Sequence, residues 1–520
     1  MISTQADEGA ALDETGAPGF RMRVALPLAG AGGLMLAAAF PPAGVWPLAF
    51  VAPALLMAAL AGRRPRSSFA IGLIFGAAFF IPLLSWVLNV AWYAWLALAI
   101  SETVIFGVLA IGQRFLLNLP RWACAPAVAG WWVAAEGLRD RWPWGGFPWG
   151  RIVMSQAAAP TAGWAAFGGA PWVTFLVALT GGALGCLVLR RRVAIAELAA
   201  LVAVSAITLS GALLRDAFVP SATGSPTAEV AVIQGDVPHS RTLAALLNNT
   251  VVTQNHAAET IALARRVSAG KAAAPDLVIW PENSTNLDPT LYPDIYQAIS
   301  QAVTAIGKPV LVGAVLQNPL RNAAQLWLPG KGPVETYVKR RLVPFGEVIP
   351  LRGLISKITS LTQLQPVDFT PGHTNVIFHV GRIRLGDAIC YEIGFDDLVR
   401  SDITAGANLL TMQTNDATYE RDGQTGETYQ QLDMARIRAI ESDRDVVVAS
   451  TIGVSAIIAP DGHLVTSSGT WRPAILEERV PLITYRTLAD SLGAWPEYAI
   501  ILLTVTGLGW GVVRARRRLS

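Results

Sequence analysis

Charge is scarce in this sequence. Only 15% of its 520 residues are Asp, Glu, Lys or Arg, against roughly 25% in soluble domains. With 52% hydrophobic residues, that composition points to a membrane protein. The net charge of +3 leaves no basic excess, so no nucleic-acid partner is expected. Cysteine is also rare. Cys124, Cys186 and Cys390 are too few for a disulfide framework. His239, His373 and His463 show no metal-ligand spacing, so neither a metal nor another cofactor is expected. A signal peptide is missing too: the positive residues are not at the start, and no clear cleavage site follows the first apolar run. Residues 1–22 are polar, Gly/Ala-rich and acidic, and read as a disordered cytoplasmic tail.

What is present is a series of long apolar runs. Spans fit residues 24–40, 45–61, 69–90, 93–111, 123–138, 164–189 and 193–214, with an eighth near 498–513. A span needs roughly 20 residues, so the second and fifth are short. Residues 23–215 thus read as a bundle of about seven transmembrane helices, and 495–513 as a C-terminal one before a basic tail, 514–520. Arginines follow every second connection: Arg21 and Arg23, Arg63 to Arg66, Arg114 and Arg121, Arg190 to Arg192, and the final cluster. Those sides are cytoplasmic by the positive-inside rule. Both termini are then cytoplasmic, and residues 225–486 form an extracytoplasmic domain.

One outer loop breaks the charge rule. It runs from Arg139 to Arg151 and carries Trp142, Trp144, Phe147 and Trp149 among Pro and Gly. Two readings stand: an interfacial aromatic anchor, or a lipid-facing wall in which Trp144, Phe147 and Trp149 line the substrate while Arg139 or Arg141 meets a phosphate. Seventeen Trp crowd towards the first third, as interfacial belts do. Glu102 and Glu136 lie in or near spans, where ionisable groups are costly and often functional. The sequence shows no partner for either, and Glu136 reads equally as the cap of its span.

From Thr227 the composition changes, and strand-like runs alternate with helical ones. Strands fit residues 230–234, 277–280, 309–314, 324–328, 334–339, 376–380, 383–390, 409–414, 446–451 and 456–459. Helices fit 244–269, 291–306, 396–405 and 428–443. This mix suits a two-layered sheet sandwich with helices outside. Three strand ends carry chemistry. Ile383, Leu385, Ala388 and Ile389 lead to Cys390, after which the chain turns polar. Val278 and Ile279 lead through Trp280-Pro281 to Glu282, just past the strand because Pro cannot donate to a ladder. Val334, Thr336 and Val338 lead to Lys339 and a Pro/Gly turn. Singly, the cysteine reads as an inert apolar residue and the two charges as solvated surface groups. Together they supply a nucleophile, a base and a cation.

Trp280-Pro281-Glu282, Tyr337-Val338-Lys339 with Leu342-Val343-Pro344-Phe345-Gly346-Glu347, and Gly386 to Glu392 around Cys390 resemble the nitrilase superfamily. With the membrane segments and the Gly-Phe-Pro-Trp element at 146–149, nearly the whole chain resembles its apolipoprotein N-acyltransferase family. That resemblance implies an αββα sandwich on a multi-pass helical bundle in the cell membrane. It implies a Glu282-Lys339-Cys390 triad that transfers a fatty acyl group from a membrane phospholipid to the α-amine of a diacylglyceryl-cysteine apolipoprotein. It places Glu347, Tyr391, Glu392 and Asn322 around the triad, Val232 to Asp236 on the first strand, and Asn415-Asp416 at the start of a substrate loop. Ala417-Thr418-Tyr419 and His239-Ser240-Arg241 depart from the tryptophan-bearing segments of better known members. Those departures touch lipid preference and leave the chemistry alone. Two rivals remain. A membrane-anchored amidase would use the same triad with water as acceptor, yet needs one anchor span. A transporter would show paired charges or broken repeats in its spans, and no internal repeat is visible.

Overall fold

The computed structural model describes residues 20–189, 194–237, 250–358, 366–420 and 425–519. Residues 1–19 of the expected 1–22 tail, the arginines at 190–192 and His239-Ser240-Arg241 lie outside these. The chain divides into two compact units. One takes the residues up to Phe218 and from Leu492 onward; the other is Val219–Ser491.

The first unit is helical. Among the described residues, four helices are long and apolar enough to cross a membrane: Pro65–Leu83, Trp92–Leu116, Pro160–Val188 and Trp495–Arg517. The pair Ile195–Leu209 and Gly211–Phe218, bent by 48°, adds a fifth if it is one span. The other three expected spans are less suited. Met22–Ala38 and Leu48–Leu60 are short; at 1.5 Å per residue the second is about 20 Å long, under the roughly 30 Å hydrocarbon core. Arg121–Arg139 carries Arg121, Glu136 and Arg139.

Several charges of this unit are paired inside it. Arg139 Nε lies 2.5 Å from Glu102 Oε2, with Phe80 under its guanidinium. Arg151 meets Asp140 at 3.2 Å and Glu136 at 3.8 Å, and Arg141 meets Glu497 at 2.7 Å. Glu102 therefore has a partner that the sequence did not reveal. Glu136 does more than cap its helix: it accepts from Ile152 N–H at 2.7 Å and from Thr174 Oγ1 at 2.8 Å. The arginines that break the charge rule are each balanced by a carboxylate.

Among its described residues the second unit holds two six-stranded sheets. The first has the order β12-β1-β2-β3-β4-β5 and the second β11-β10-β9-β8-β7-β6. Its strands are β1 (Thr227–Gln234), β2 (Leu277–Ile279), β3 (Val310–Leu316), β4 (Arg321–Leu328), β5 (Gly332–Val338), β6 (Ile377–Val380), β7 (Ile383–Ile389), β8 (Leu409–Thr414), β9 (Val446–Ser450), β10 (Ala456–Ile458), β11 (Leu464–Ser467) and β12 (Ala474–Pro481). Side chains alternate along each strand. Val230 and Val232 of β1 join Leu277, Ile279, Leu385, Ile389 and Val447 in the core between the sheets. Ala231 and Ile233 face the other way and pack with Val278, Trp280 and Ile299 under the helices Thr250–Ser268 and Pro293–Ile306. Helices Asp396–Thr404 and Gly426–Ser442 belong to the second sheet's side. The result is the αββα sandwich that the strand and helix pattern suggested.

Parallel pairing positions the site. β1, β2 and β3 run parallel, as do β7, β8 and β9. Ligands gather at the carboxyl ends of such strands, and there β2 leads to Glu282 and β7 to Cys390. Two strands escaped the sequence pattern. β12 pairs antiparallel with β1 and carries Glu477, Glu478 and Arg479, while β11 is largely exposed. Both are edge strands, and charge there is the ordinary guard against further pairing.

Candidate active site

Each reactive side chain sits where a strand has just stopped. β7 ends at Ile389, and Cys390 opens a short 3-10 turn, Cys390–Gly394, with φ of 55°. Asn283, next to Glu282, has φ of 51°, and Phe345, two residues before Glu347, has φ of 65°. Left-handed non-glycine residues are strained and cluster at functional sites. Gly313 on β3 makes room for Glu282: a Cβ there would stand 2.1 Å from Pro281 O and 2.7 Å from Glu282 Cα.

Lys339 lies between two carboxylates. Its Nζ donates to Glu282 Oε1 and to Glu347 Oε1, each at 3.0 Å. Asn322 Nδ2 bridges the same two oxygens, at 2.6 Å and 2.7 Å. Glu282 Oε2 accepts from Asn415 N–H at 2.9 Å, and Glu347 Oε2 from Val343 N–H at 2.9 Å. Glu282 is 4% exposed, Lys339 1% and Cys390 6%. Burial disfavours the lysine's charge, but Glu282 and Glu347 more than offset it and hold the ammonium well above its usual pKa. Burial raises the Glu282 carboxyl, with Lys339 pulling it back, so its proton affinity suits a general base. Burial, and then Glu282, push the Cys390 thiol well up, opposed by Lys339. At rest the sulfur is therefore a neutral thiol within the field of both groups.

Glu392 ties this arrangement together. Fully buried, it accepts from Ile389 N–H at 2.9 Å, Arg340 N–H at 2.7 Å, Arg341 N–H at 3.0 Å, and Tyr337 OH at 3.0 Å and 2.9 Å. One carboxylate thus locks the turn of Cys390 to the segment after Lys339. Tyr391 is buried with its ring against Phe395 at 5.1 Å.

The lipid-facing expectation for the Arg139–Arg151 loop needs correction. Arg139 is 1% exposed and paired with Glu102, and its Nη2 donates to Trp149 O at 2.6 Å. Trp149 is buried beside Trp86. Neither side chain faces lipid, because a buried arginine is held by partners inside the helical unit. Phe147 is half-buried and stacks on Trp149, and Trp144 is exposed. Cys124 is buried and Cys186 half-buried in the same unit, as packing residues are. Among the described residues, no group of three His, Cys, Asp or Glu side chains is placed to hold a metal ion.

Gln431 and Glu427, near the thiol, had no sequence signal, and Tyr419 was noted only as a departure in the substrate loop. Gln431 Nε2 donates to Cys390 Sγ at 3.5 Å. Glu427 acts on the thiol electrostatically, and Tyr419, whose phenol burial pushes well up, feels Cys390 in turn. The helix that carries Glu427 and Gln431 was expected from periodicity, but which of its polar residues turns inward depends on the neighbouring sheet.

An αββα sandwich with a buried carboxylate, ammonium and thiol at its strand ends defines a carbon-nitrogen hydrolase domain. Residues 229–490 match the carbon-nitrogen hydrolase family, and residues 32–183 match the apolipoprotein N-acyltransferase N-terminal domain. The chain is 36% identical to an apolipoprotein N-acyltransferase of Mycolicibacterium smegmatis, over 90% of this chain and 82% of that one. It is 28% identical to one of Azotobacter vinelandii, over 91% and 92%. An amidase structure from Nesterenkonia sp. is similar at 16% identity and a TM-score of 0.37, covering 53% of this chain and 96% of that one. The chain belongs to the apolipoprotein N-acyltransferase family.

Proposed function

We propose that Glu282, Lys339 and Cys390 carry this family's acyl transfer in the present chain, through a thioester on Cys390. The chain is an acyltransferase of lipoprotein biosynthesis. Its donor is a membrane phospholipid, and its acceptor is the α-amine of an N-terminal diacylglyceryl-cysteine. The observation that carries the reading is the buried Glu282–Lys339–Glu347 cluster beside a thiol on a left-handed elbow.

In the first half-reaction Glu282 takes the proton of the Cys390 thiol as sulfur attacks the ester carbonyl. Lys339 stabilises the oxyanion, with the Tyr391 N–H as a second donor. Glu347 and Asn322 hold Lys339 and Glu282 in place. The carbon–oxygen bond breaks, Glu282 returns its proton to the leaving alkoxide, and a lysophospholipid departs. In the second half-reaction the acceptor nitrogen attacks the thioester and Glu282 takes one of its protons. The carbon–sulfur bond breaks, and the thiolate regains a proton. The product amide is more stable than the thioester, so the exchange runs forward.

A membrane bundle suits such substrates. Drawing an acyl chain out of a bilayer costs about 0.8 kcal/mol per CH₂, so the chemistry belongs at the lipid surface. The arginine distribution supports cytoplasmic termini and an extracytoplasmic catalytic unit. The test is transfer of a mass-tagged acyl chain from phospholipid to a diacylglyceryl-cysteine peptide by the full-length enzyme. N-acylated peptide is expected. Free fatty acid alone, with peptide present, would instead identify a hydrolase.

A further inference from the structure

The residues assigned so far serve the thiol, the proton and the oxyanion, and none of them holds the attacking amine. We propose that Gln431 is a further catalytic residue, whose side-chain carbonyl accepts an N–H of the acceptor amine beside the thioester. This inference rests on the acyl-transfer reading above.

Gln431 lies on the helix Gly426–Ser442 and is 1% exposed. Its Nε2 donates to Cys390 Sγ at 3.5 Å, which fixes the amide against the reacting atom. The nitrogen and oxygen of an amide are about 2.3 Å apart, so Oε1 lies within roughly 6 Å of the sulfur. That oxygen is buried and has no hydrogen-bond partner among the described residues. A buried carbonyl without a donor carries a desolvation penalty, and native interiors rarely leave one so. Glu427, one turn earlier and on the same helix face, is 2% exposed and shares a side-chain hydrogen bond with Asp416. Burial and the adjacent Asp416 push its carboxyl well above the usual range.

The chemistry of the two substrates decides which one fits. The phospholipid ester offers only acceptor oxygens at its reacting carbon and cannot satisfy Gln431 Oε1. A neutral primary amine brings two N–H groups. One proton goes to Glu282 during attack, and the other remains to pair with Gln431. The unpaired carbonyl of Gln431 next to the nucleophile therefore suits the second substrate and not the first. Gln431 holds the sulfur with one end of its amide and orients the incoming nitrogen with the other.

The test follows one acyl-enzyme to two fates. Full-length enzyme acylated by phospholipid is mixed with diacylglyceryl-cysteine peptide, and N-acyl peptide and free fatty acid are measured together. Both products leave from the same thioester, so losing the Nε2 bond to sulfur slows both and cancels in the ratio. Gln431→Met keeps the shape and removes the acceptor. Its rate of N-acyl peptide formation is expected to fall about tenfold or more below that of Gln431→Glu, which loses the same Nε2 bond; equal rates in the two variants overturn the proposal, since water carries a second O–H for the same carbonyl and can leave the ratio unmoved. Gln431→Glu keeps acceptor oxygens and is read on its own if the Met variant does not fold. Its ratio is expected to stay within about threefold of wild type, while thiol alkylation shifts to higher pH; collapse of the ratio overturns the proposal. Absence of any thioester in the wild-type enzyme would refute the acyl-transfer reading itself, a separate outcome.

Discussion

Replacing Glu392 by Gln keeps the shape of a buried side chain and removes one acceptor. In the wild type, Oε1 takes the N–H groups of Arg340 and Arg341, and Oε2 takes that of Ile389, with Tyr337 OH shared. The single carbonyl of Gln fits the Oε1 position, where two backbone donors converge. Its NH₂ must then face Ile389 N–H, donor against donor. One charge-assisted bond is lost and one buried N–H is stranded, which together cost about 2–4 kcal/mol. Ile389 directly precedes Cys390, so relief of the clash moves the nucleophile. A misplacement of about 1 Å costs roughly 100-fold in rate. Thermal melting and the single-turnover rate of Cys390 acylation measure the two effects. Expected are a Tm lower by roughly 4–16 °C and acylation slower by about 100-fold. Tyr337→Phe removes the shared donor and the acceptor of Arg340 Nε, and should cost about 1–2 kcal/mol. Wild-type acylation in Glu392→Gln would refute the view that this carboxylate positions the cysteine.

Other perturbations have equally definite outcomes. Lys339→Met removes the proposed oxyanion donor and should slow acylation by about 100- to 1,000-fold, read by single-turnover mass spectrometry. Gly313→Ala puts a Cβ into Pro281 and Glu282; overpacking of about 1–3 kcal/mol and loss of acyl transfer are expected in melting and transfer assays. Arg139→Met strands Glu102 and should cost about 3–5 kcal/mol, whereas the Arg139→Met/Glu102→Gln double variant should recover most of it in detergent melting curves. Burial, with Asp443, Asp461 and Glu478 nearby, raises the Asp445 carboxyl to about 8. Its folded pKa lies above the unfolded value, so its contribution falls as pH rises from about 4 towards 8. Asp445→Asn should then be more stable than wild type at pH 8, by about 1–3 kcal/mol, and much less so at pH 5, as Tm across that range will show.

Much of the site was legible because its residues occupy positions that local chemistry marks. Pro281 stops β2 and leaves Glu282 just past its end, and the apolar run of β7 breaks at Cys390. Asn322, Glu347 and Glu392 came from motif resemblance, and their hydrogen bonds supply the physical reason for each. What could not be read was long-range pairing. Glu102 and Arg139 are 37 residues apart, and Arg141 and Glu497 are 356 apart; no periodicity links them. The same limit misplaced Arg139 and Trp149 in a lipid-facing wall. Edge strand β12 was missed because its alternation is interrupted by charge. Gln431 was hidden because a helix shows its apolar face in sequence, whereas a polar residue turned inward is chosen by the sheet it meets.

Intact mass of the full-length protein after incubation with phospholipid tests the role of Cys390 most directly. Wild type should gain one fatty acyl mass, hydroxylamine should remove it, and Cys390→Ala should gain none. An acyl adduct that survives hydroxylamine, or that also forms on Cys390→Ala, would contradict a thioester at this cysteine.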